Sequence, residues 1–183
     1  MTHSTDYALE LKKLHSKKSF GVSKNISKEV KTLIEKHQVT SLLDFGCGKG
    51  LTLTEFINSY PNIKCVGFDP GRDGFDILPE QVDLIYSSDV LEHIEPELLD
   101  STLTDLYSRC NKAMYHLIAC HPAKKALSDG RNAHLIIEKP EWWNIKLKSL
   151  GWNIVEDKII EYTSTVKKGP PREIVKYLVI IEK

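Results

Sequence analysis

The sequence predicts an α/β fold built on a mostly parallel sheet that ends in an antiparallel hairpin. Three observations predict it. Short apolar runs bounded by turn residues, at 41–45, 63–68, 83–87 and 113–119, alternate with stretches of helical periodicity. The first run passes straight into a glycine-rich turn, Gly46-Cys47-Gly48-Lys49-Gly50, and then into a helical pattern. Two longer runs, 152–160 and 173–181, close the chain, and the Lys167–Arg172 linker between them suits a hairpin.

Each element has its own warrant. Residues 5–16 have the spacing of a short amphipathic helix with Tyr7, Leu11 and Leu14 on one side, and Phe20-Gly21 breaks that pattern. Tyr7, Lys17 and Phe20 read as packing and surface residues. Ser27 is an N-cap for a helix reaching about His37, with Val30, Leu33 and Ile34 turned inward. Ser41–Phe45 is a buried strand in which Asp44 places a charge where a parallel strand should be apolar. A helix from Leu51 to Ser59 carries Leu53, Phe56 and Ile57, and Pro61 marks its end. Ile63–Phe68 is the second strand and runs into Asp69-Pro70-Gly71. Only about a dozen residues then separate Asp69 from Val82, too few for a further strand and helix, so Phe75–Leu78 is expected to form a stub of edge strand. Asp83–Ser87 and Ala113–Ala119 are strands flanking a helix over Pro96–Arg109, whose Leu98, Leu99, Leu103 and Leu106 have helical spacing. A last helix opens at Lys139, stops at Gly151, and offers Trp142 and Trp143 as core anchors.

Composition narrows the function classes. The chain has 183 residues, 41% hydrophobic and 27% charged, with zero formal net charge. That is an ordinary composition for one globular domain with a sizeable core. Charge is uneven: Met1–His37 holds eight lysines against four acids, and Asp69–Asp105 holds eleven acids against Arg72 alone. A uniformly basic nucleic-acid binder does not look like this. The runs read first as solvated faces, and second as an acidic rim that disfavours polyanions. Met1–Lys13 has no apolar core, so no signal peptide is expected, and no apolar run is long enough to cross a bilayer. Cys47, Cys65, Cys110 and Cys120 form no Cys-x-x-Cys pair, which suggests a reduced, cytoplasmic protein without a cysteine zinc site.

Residues with chemistry gather at strand ends. Gly46, Gly48 and Gly50 let the backbone approach a ligand, and a helix starting near Leu51 aims its N–H groups there. The spacing is Asp-x-Gly-x-Gly-x-Gly; the dinucleotide fingerprint would require a glycine at Leu51. A plain strand-to-helix turn is the bland alternative. Asp69 stands about twenty residues after the turn, where a carboxylate accepts hydrogen bonds from two vicinal ribose hydroxyls. Its alternative is a cap on the Pro70-Gly71 turn. The stretch Ala123–His134 is polar; Asp129, Arg131, Asn132 and His134, with His121, form a cluster no core requires. A substrate or acid–base role for one of those histidines is one reading. No metal is expected, because His121 and His134 lack a recognisable ligand spacing.

Asp44 with the glycine turn, and Asp83–Ser87 running into Ser88-Asp89-Val90-Leu91-Glu92-His93-Ile94, resemble the first and fourth motifs of class I S-adenosylmethionine (SAM)-dependent methyltransferases. The resemblance covers roughly residues 26–183 except for the shortened edge. It implies a three-layer, Rossmann-like sandwich as a single domain over 1–183, with residues 1–25 supplying a helix or a lid. It implies SAM as cofactor, bound by Asp44, Gly46, Cys47, Gly48, Gly50, Asp69, Pro70, Ser88, Asp89 and Val90. Ser87 to Asp89 would lie beside the methionine portion of SAM. His93, His121 and His134 are the candidate general bases, with Asp89 a weaker one, and Arg72–Ile77 are the candidates for the adenine pocket.

The function this implies is methyl transfer to an oxygen or nitrogen nucleophile. The Asn/Asp-Pro-Pro-Tyr/Phe signature of amino-methylating enzymes is absent, and a small-molecule acceptor is expected. A protein or RNA acceptor is the alternative, because the lysine-rich start offers phosphate contacts. Two other classes compete. The glycine spacing argues against a nucleotide-binding oxidoreductase. A catalytically silent SAM-binding or protein-interaction module would suit the short edge.

Overall fold

The structure is a computed structural model and describes residues 3–15, 26–165 and 170–183. Its sheet has six strands: β1 (Ser41–Phe45), β2 (Lys64–Phe68), β3 (Val82–Ser88), β4 (Cys110–Ala119), β5 (Ile154–Ser164) and β6 (Arg172–Glu182). Their order is β2-β1-β3-β4-β6-β5. The first four are parallel, and β6 runs antiparallel between β4 and β5. The helices are α1 (Thr5–His15), α2 (Lys28–Lys36), α3 (Leu51–Ser59), α4 (Leu99–Arg109) and α5 (Pro140–Ser149).

The period-two alternation of the strands divides the core into two layers. Leu43, Phe45, Ile85, Met114 and Val179 face α4 and α5, where Leu103, Leu106, Trp143 and Leu147 cover them. Their neighbours Leu42, Leu84, Tyr86, Tyr115 and Leu178 face the other way, onto Val30, Leu33 and Ile34 of α2 and Phe56 of α3. Apolar residues on both faces explain why these strands read as continuous hydrophobic runs. Ser27 caps α2 as its sequence predicts, with its hydroxyl accepting from the Val30 amide at 3.3 Å. Trp143 is fully buried, whereas Trp142 is only partly so.

Several expectations need correction. No strand forms over Phe75–Leu78. The Phe75 carbonyl instead accepts from the Asp69 amide at 2.7 Å, closing a tight loop, and Ile77 is 79% exposed. The edge of the sheet is therefore β2 itself. The expected helix over Pro96–Arg109 is divided: Pro96–Leu98 is a 3-10 turn, and α4 starts at Leu99. The Leu98 amide bonds Glu95 three residues back, which tightens that turn. Ile57 faces solvent rather than the core. The Leu14 side chain, Lys17, Phe20, and residues 167–169 of the hairpin linker lie outside the described residues. Among the described residues no helix is long and apolar enough to cross a membrane.

Candidate functional site

The strand order reverses between β1 and β3, and open α/β sheets bind ligands outside the carboxyl ends of strands at such a point. A cavity of about 610 Å³ lies there. That is ample for a small ligand. Asp44, Gly46, Cys47, Gly48, Asp69, Pro70, Ser88, Asp89, Val90, His93, His121 and His134 all line it. Residues as far apart in sequence as Asp44 and His134 thus meet on one surface. Gly50 does not line it; it sits at the N-cap of α3 with φ of 74°. Arg72–Ile77 are absent from the lining, because the loop they form folds back on Asp69.

The glycine turn is pinned from two sides. The amides of Gly46 and Cys47 donate to the Phe68 carbonyl at 2.7 and 3.0 Å, locking the turn to the end of β2. Gly46 has φ of 76°, and a Cβ built there would stand 2.4 Å from Val90 Cγ2. Glycine at 46 therefore lets the loop after β3 pack directly on the loop after β1. Asp69 is buried, and its two oxygens accept from the amides of Gly48 and Gly71, each at 2.9 Å. Asp44 is also buried, and its Oδ2 has no hydrogen-bond partner. Burial, with the charge of Asp69 adding to it, pushes the Asp44 carboxyl up to about 7.

The loop after β3 supplies the other wall. Asp89 adopts φ of 56°, a left-handed conformation that aspartate tolerates, and its carboxylate pairs with Lys176 at 2.7 Å. Glu92 and His93 belong to a 3-10 turn over Leu91–His93. Glu92 is fully buried with neither oxygen hydrogen-bonded. Burial, then the nearby Asp89, raises its carboxyl well above the usual range. His93 Nδ1 meets the Ala133 carbonyl at 2.6 Å, and His134 Nδ1 meets the His121 carbonyl at 2.5 Å. Burial holds both imidazoles below their ordinary value, His93 at about 4 with His134 beside it contributing. Each neutral ring therefore carries its proton on Nδ1 and its lone pair on Nε2. The His134 Nε2 lies 3.9 Å from Glu92 Oε1. His121 completes the row, its ring 5.5 Å from that of His134 and its Nδ1 2.9 Å from the Val175 carbonyl.

Ser87 does not reach the cavity. It is fully buried and its hydroxyl bonds His116 Nδ1 at 2.7 Å. The polar cluster of the 123–134 loop also divides: Asp129 and Arg131 pair with each other near solvent, while Asn132 braces the loop by bonding Ala123 and His134. Sequence reading missed a whole side of the cavity. Tyr162, Ser164, Arg172, Ile174 and Lys176 line it from β5 and β6. His3, Tyr7 and Leu11 line it from the N-terminal segment expected to form a helix or a lid, so Tyr7 faces the cavity as well as packing. The alternation of Arg172, Ile174 and Lys176 along one strand was the available signal. The pairing of Tyr162 with Ile174 and of Ser164 with Arg172 depends on a register the sequence does not display.

The residues present fit a ligand with a cationic centre and a ribose. Asp44 offers an unsatisfied carboxyl oxygen, the Asp69 carboxylate stands at the end of β2 facing the same cavity, and the bare Gly46–Gly48 backbone leaves room beside them. Comparison with known proteins bears on the family and the fold. A family model for a methyltransferase domain matches residues 17–147. No curated protein sequence matches significantly. Among solved structures, the Burkholderia thailandensis 1,6-didemethyltoxoflavin-N1-methyltransferase, with bound 1,6-didemethyltoxoflavin and S-adenosylhomocysteine, aligns over 100% of this chain and 91% of its own at TM-score 0.65 and 14% identity. TehB from Haemophilus influenzae aligns over 91% of this chain and 65% of its own at TM-score 0.58 and 16% identity. A SAM-dependent methyltransferase from Archaeoglobus fulgidus aligns over 85% of this chain and 94% of its own at TM-score 0.51 and 18% identity. At such identities the structures show the fold, while the family match spans more than two thirds of the chain. The protein belongs to the methyltransferase-domain family, and with it to the class I SAM-dependent methyltransferases.

Proposed function

We propose that the cavity binds SAM against β1, β2 and β3 and delivers its methyl group to an oxygen or nitrogen of a small-molecule acceptor. One observation carries this reading: the glycine turn, Asp69 and the Ser88–Val90 loop, far apart in sequence, line one cavity at the strand ends. When bound, SAM supplies a methyl group already activated by the sulfonium charge. The chain's own work is then alignment and proton removal. Asp69 holds ribose hydroxyls through its carboxylate. Asp44 and Asp89 face the cationic methionine portion, and the amides near Gly46–Gly48 hold the backbone close. The acceptor occupies the other end of the cavity, between the histidines and the Tyr162–Lys176 wall. A histidine with its Nδ1 proton on a carbonyl presents Nε2 as the base.

A structural neighbour supports the acceptor class, since it is an N1-methyltransferase with bound 1,6-didemethyltoxoflavin. Four free cysteines support a reduced compartment, which we read as the cytoplasm. The test is calorimetric titration with SAM and S-adenosylhomocysteine, with NADH as control. Binding of both SAM species without NADH is expected, followed by turnover on small hydroxyl or amine acceptors. Failure to bind either species removes the cofactor site. Binding without turnover on any acceptor favours the catalytically silent module.

A further inference from the structure

We propose that Glu92, His93 and His134 form a binding site for one divalent first-row transition-metal ion on the wall of the cavity. Each offers one ligand atom, and those atoms lie within 4.8 Å of one another. The donor set is two imidazole nitrogens and one carboxylate oxygen. It suits ions from Mn²⁺ to Zn²⁺ better than Mg²⁺ or Ca²⁺, which prefer oxygen throughout.

Two further observations point to a ligand. Glu92 is fully buried, yet neither of its oxygens completes a hydrogen bond of ordinary geometry, although the Glu92 and Ala119 amides stand near enough to favour its charged form. A buried carboxyl without such a bond is costly, and His134 Nε2 at 3.9 Å is too far to make one. An ion between them satisfies both groups. The second observation is the outer support. His93 Nδ1 bonds the Ala133 carbonyl and His134 Nδ1 bonds the His121 carbonyl, so both rings are set to ligate through Nε2. The loop bearing His134 is itself fastened to the turn bearing Glu92, because the Ile136 amide donates to the Glu92 carbonyl at 3.0 Å. Neighbouring ligands of such an ion stand about 3 Å apart, from bonds of about 2.1 Å. Closing the site needs side-chain rotations of about 1–2 Å, and three protein ligands leave open positions toward the cavity.

Those open positions give the ion a role, which rests on the methyl-transfer reading. An acceptor hydroxyl bound there loses its proton more readily. The O–H bond breaks and the proton passes to His121 Nε2. The oxygen forms its bond to the methyl carbon as the carbon–sulfur bond breaks, and that electron pair stays on sulfur. His93 and His134 are ligands in this scheme, and His121 is the base.

The test is titration of the full chain with Co²⁺, followed by visible d–d absorption and calorimetry, with S-adenosylhomocysteine binding measured on the same samples. Saturable binding of one equivalent is expected. Glu92→Gln and His134→Gln should each weaken it by at least about tenfold, while His121→Gln, which keeps the supporting carbonyl, should leave it unchanged. X-ray absorption of the Co²⁺-loaded wild type should show two imidazole shells, a readout that survives misfolding of a variant. Absence of saturable binding, equal affinity in Glu92→Gln, or a spectrum without imidazole overturns the site. S-adenosylhomocysteine binding without Co²⁺ binding overturns the metal site alone, and Co²⁺ binding without S-adenosylhomocysteine overturns the cofactor reading alone.

Discussion

Asp44 should make cofactor affinity depend on pH, with a sign opposite to its effect on stability. Its carboxyl is only 3% exposed and titrates at about 7 because burial, then Asp69, penalises the charge. Binding a cationic ligand beside it favours the ionised form. If the bound carboxyl titrates well below 6, the free protein must release a proton on binding whenever the pH lies below about 7. The ionised fraction rises from about 0.09 at pH 6 to about 0.5 at pH 7, so SAM affinity should rise about fivefold, roughly 1 kcal/mol. The ligand's α-amino group also titrates, at about 7.7–8.0. Asp44→Asn carries the same ligand contribution and serves as the reference.

Stability moves the other way. The carboxyl is held above its unfolded value of 3.8, so between about pH 4 and 7 the folded state binds more protons than the unfolded one. The contribution is intact below pH 4 and falls as pH rises through that window, to a cost on the order of 4 kcal/mol above pH 7. Asp44→Asn should therefore stabilise the ligand-free protein at pH 8 while weakening SAM binding. Calorimetry in buffers of different ionisation enthalpy measures the proton release, and urea unfolding at pH 5 and 8 measures the stability. A variant that keeps the wild-type pH slope of affinity, or that is less stable than wild type at pH 8, would refute the reasoning.

Three further perturbations test other parts of the molecule. Asp69→Ala should weaken S-adenosylhomocysteine binding by about 1–3 kcal/mol through lost charged hydrogen bonds, and an unchanged dissociation constant removes Asp69 from the site. Gly46→Ala adds a Cβ at φ of 76° and 2.4 Å from Val90 Cγ2. It should cost more than about 2 kcal/mol in urea unfolding, and Val90→Ala in the same chain should recover only the clash, since the backbone strain stays. Trp143→Ala empties a fully buried position between α5 and the sheet. It should cost about 3–5 kcal/mol, and a loss below 1 kcal/mol would show that the packing there is loose.

Much of this arrangement was legible because it is local. The strand cores, the Ser27 cap and the glycine turn depend on residues a few positions apart, and their chemistry forces one conformation each. Asp69 was legible for a different reason: a parallel pair of strands joined by α3 fixes how far along the chain the second strand end must fall. The Tyr162–Lys176 wall was not legible, since a one-residue slip between β5 and β6 would turn every one of those side chains outward. The meeting of Glu92 and His93 with His134 was missed because the separation is set by a loop whose path depends on Asn132 and the Ile136 amide, not by helical or strand periodicity.

The shortened edge shows how local chemistry substitutes for missing structure. Where a further strand and helix would follow β2, the chain turns back within residues 69–75, and the Asp69 carboxylate satisfies the amides of both Gly48 and Gly71. The same side chain thus joins the glycine turn to the loop that replaces the absent unit. Arg72 adds a second tie, donating to the Gly48 carbonyl at 3.0 Å while lying over the Phe75 ring. This leaves β2 as a five-residue edge strand beginning with an exposed lysine, Lys64, which disfavours pairing with another chain. The cavity gains from elsewhere what the edge no longer supplies. Tyr7 and Leu11 of α1 close one side, packed on Leu127 and Ala133, and the long β5–β6 hairpin closes the other. The cavity beside buried Asp44 and Asp69 is thereby lined without the missing unit, and a cationic ligand there would relieve the cost of burying the Asp44 charge.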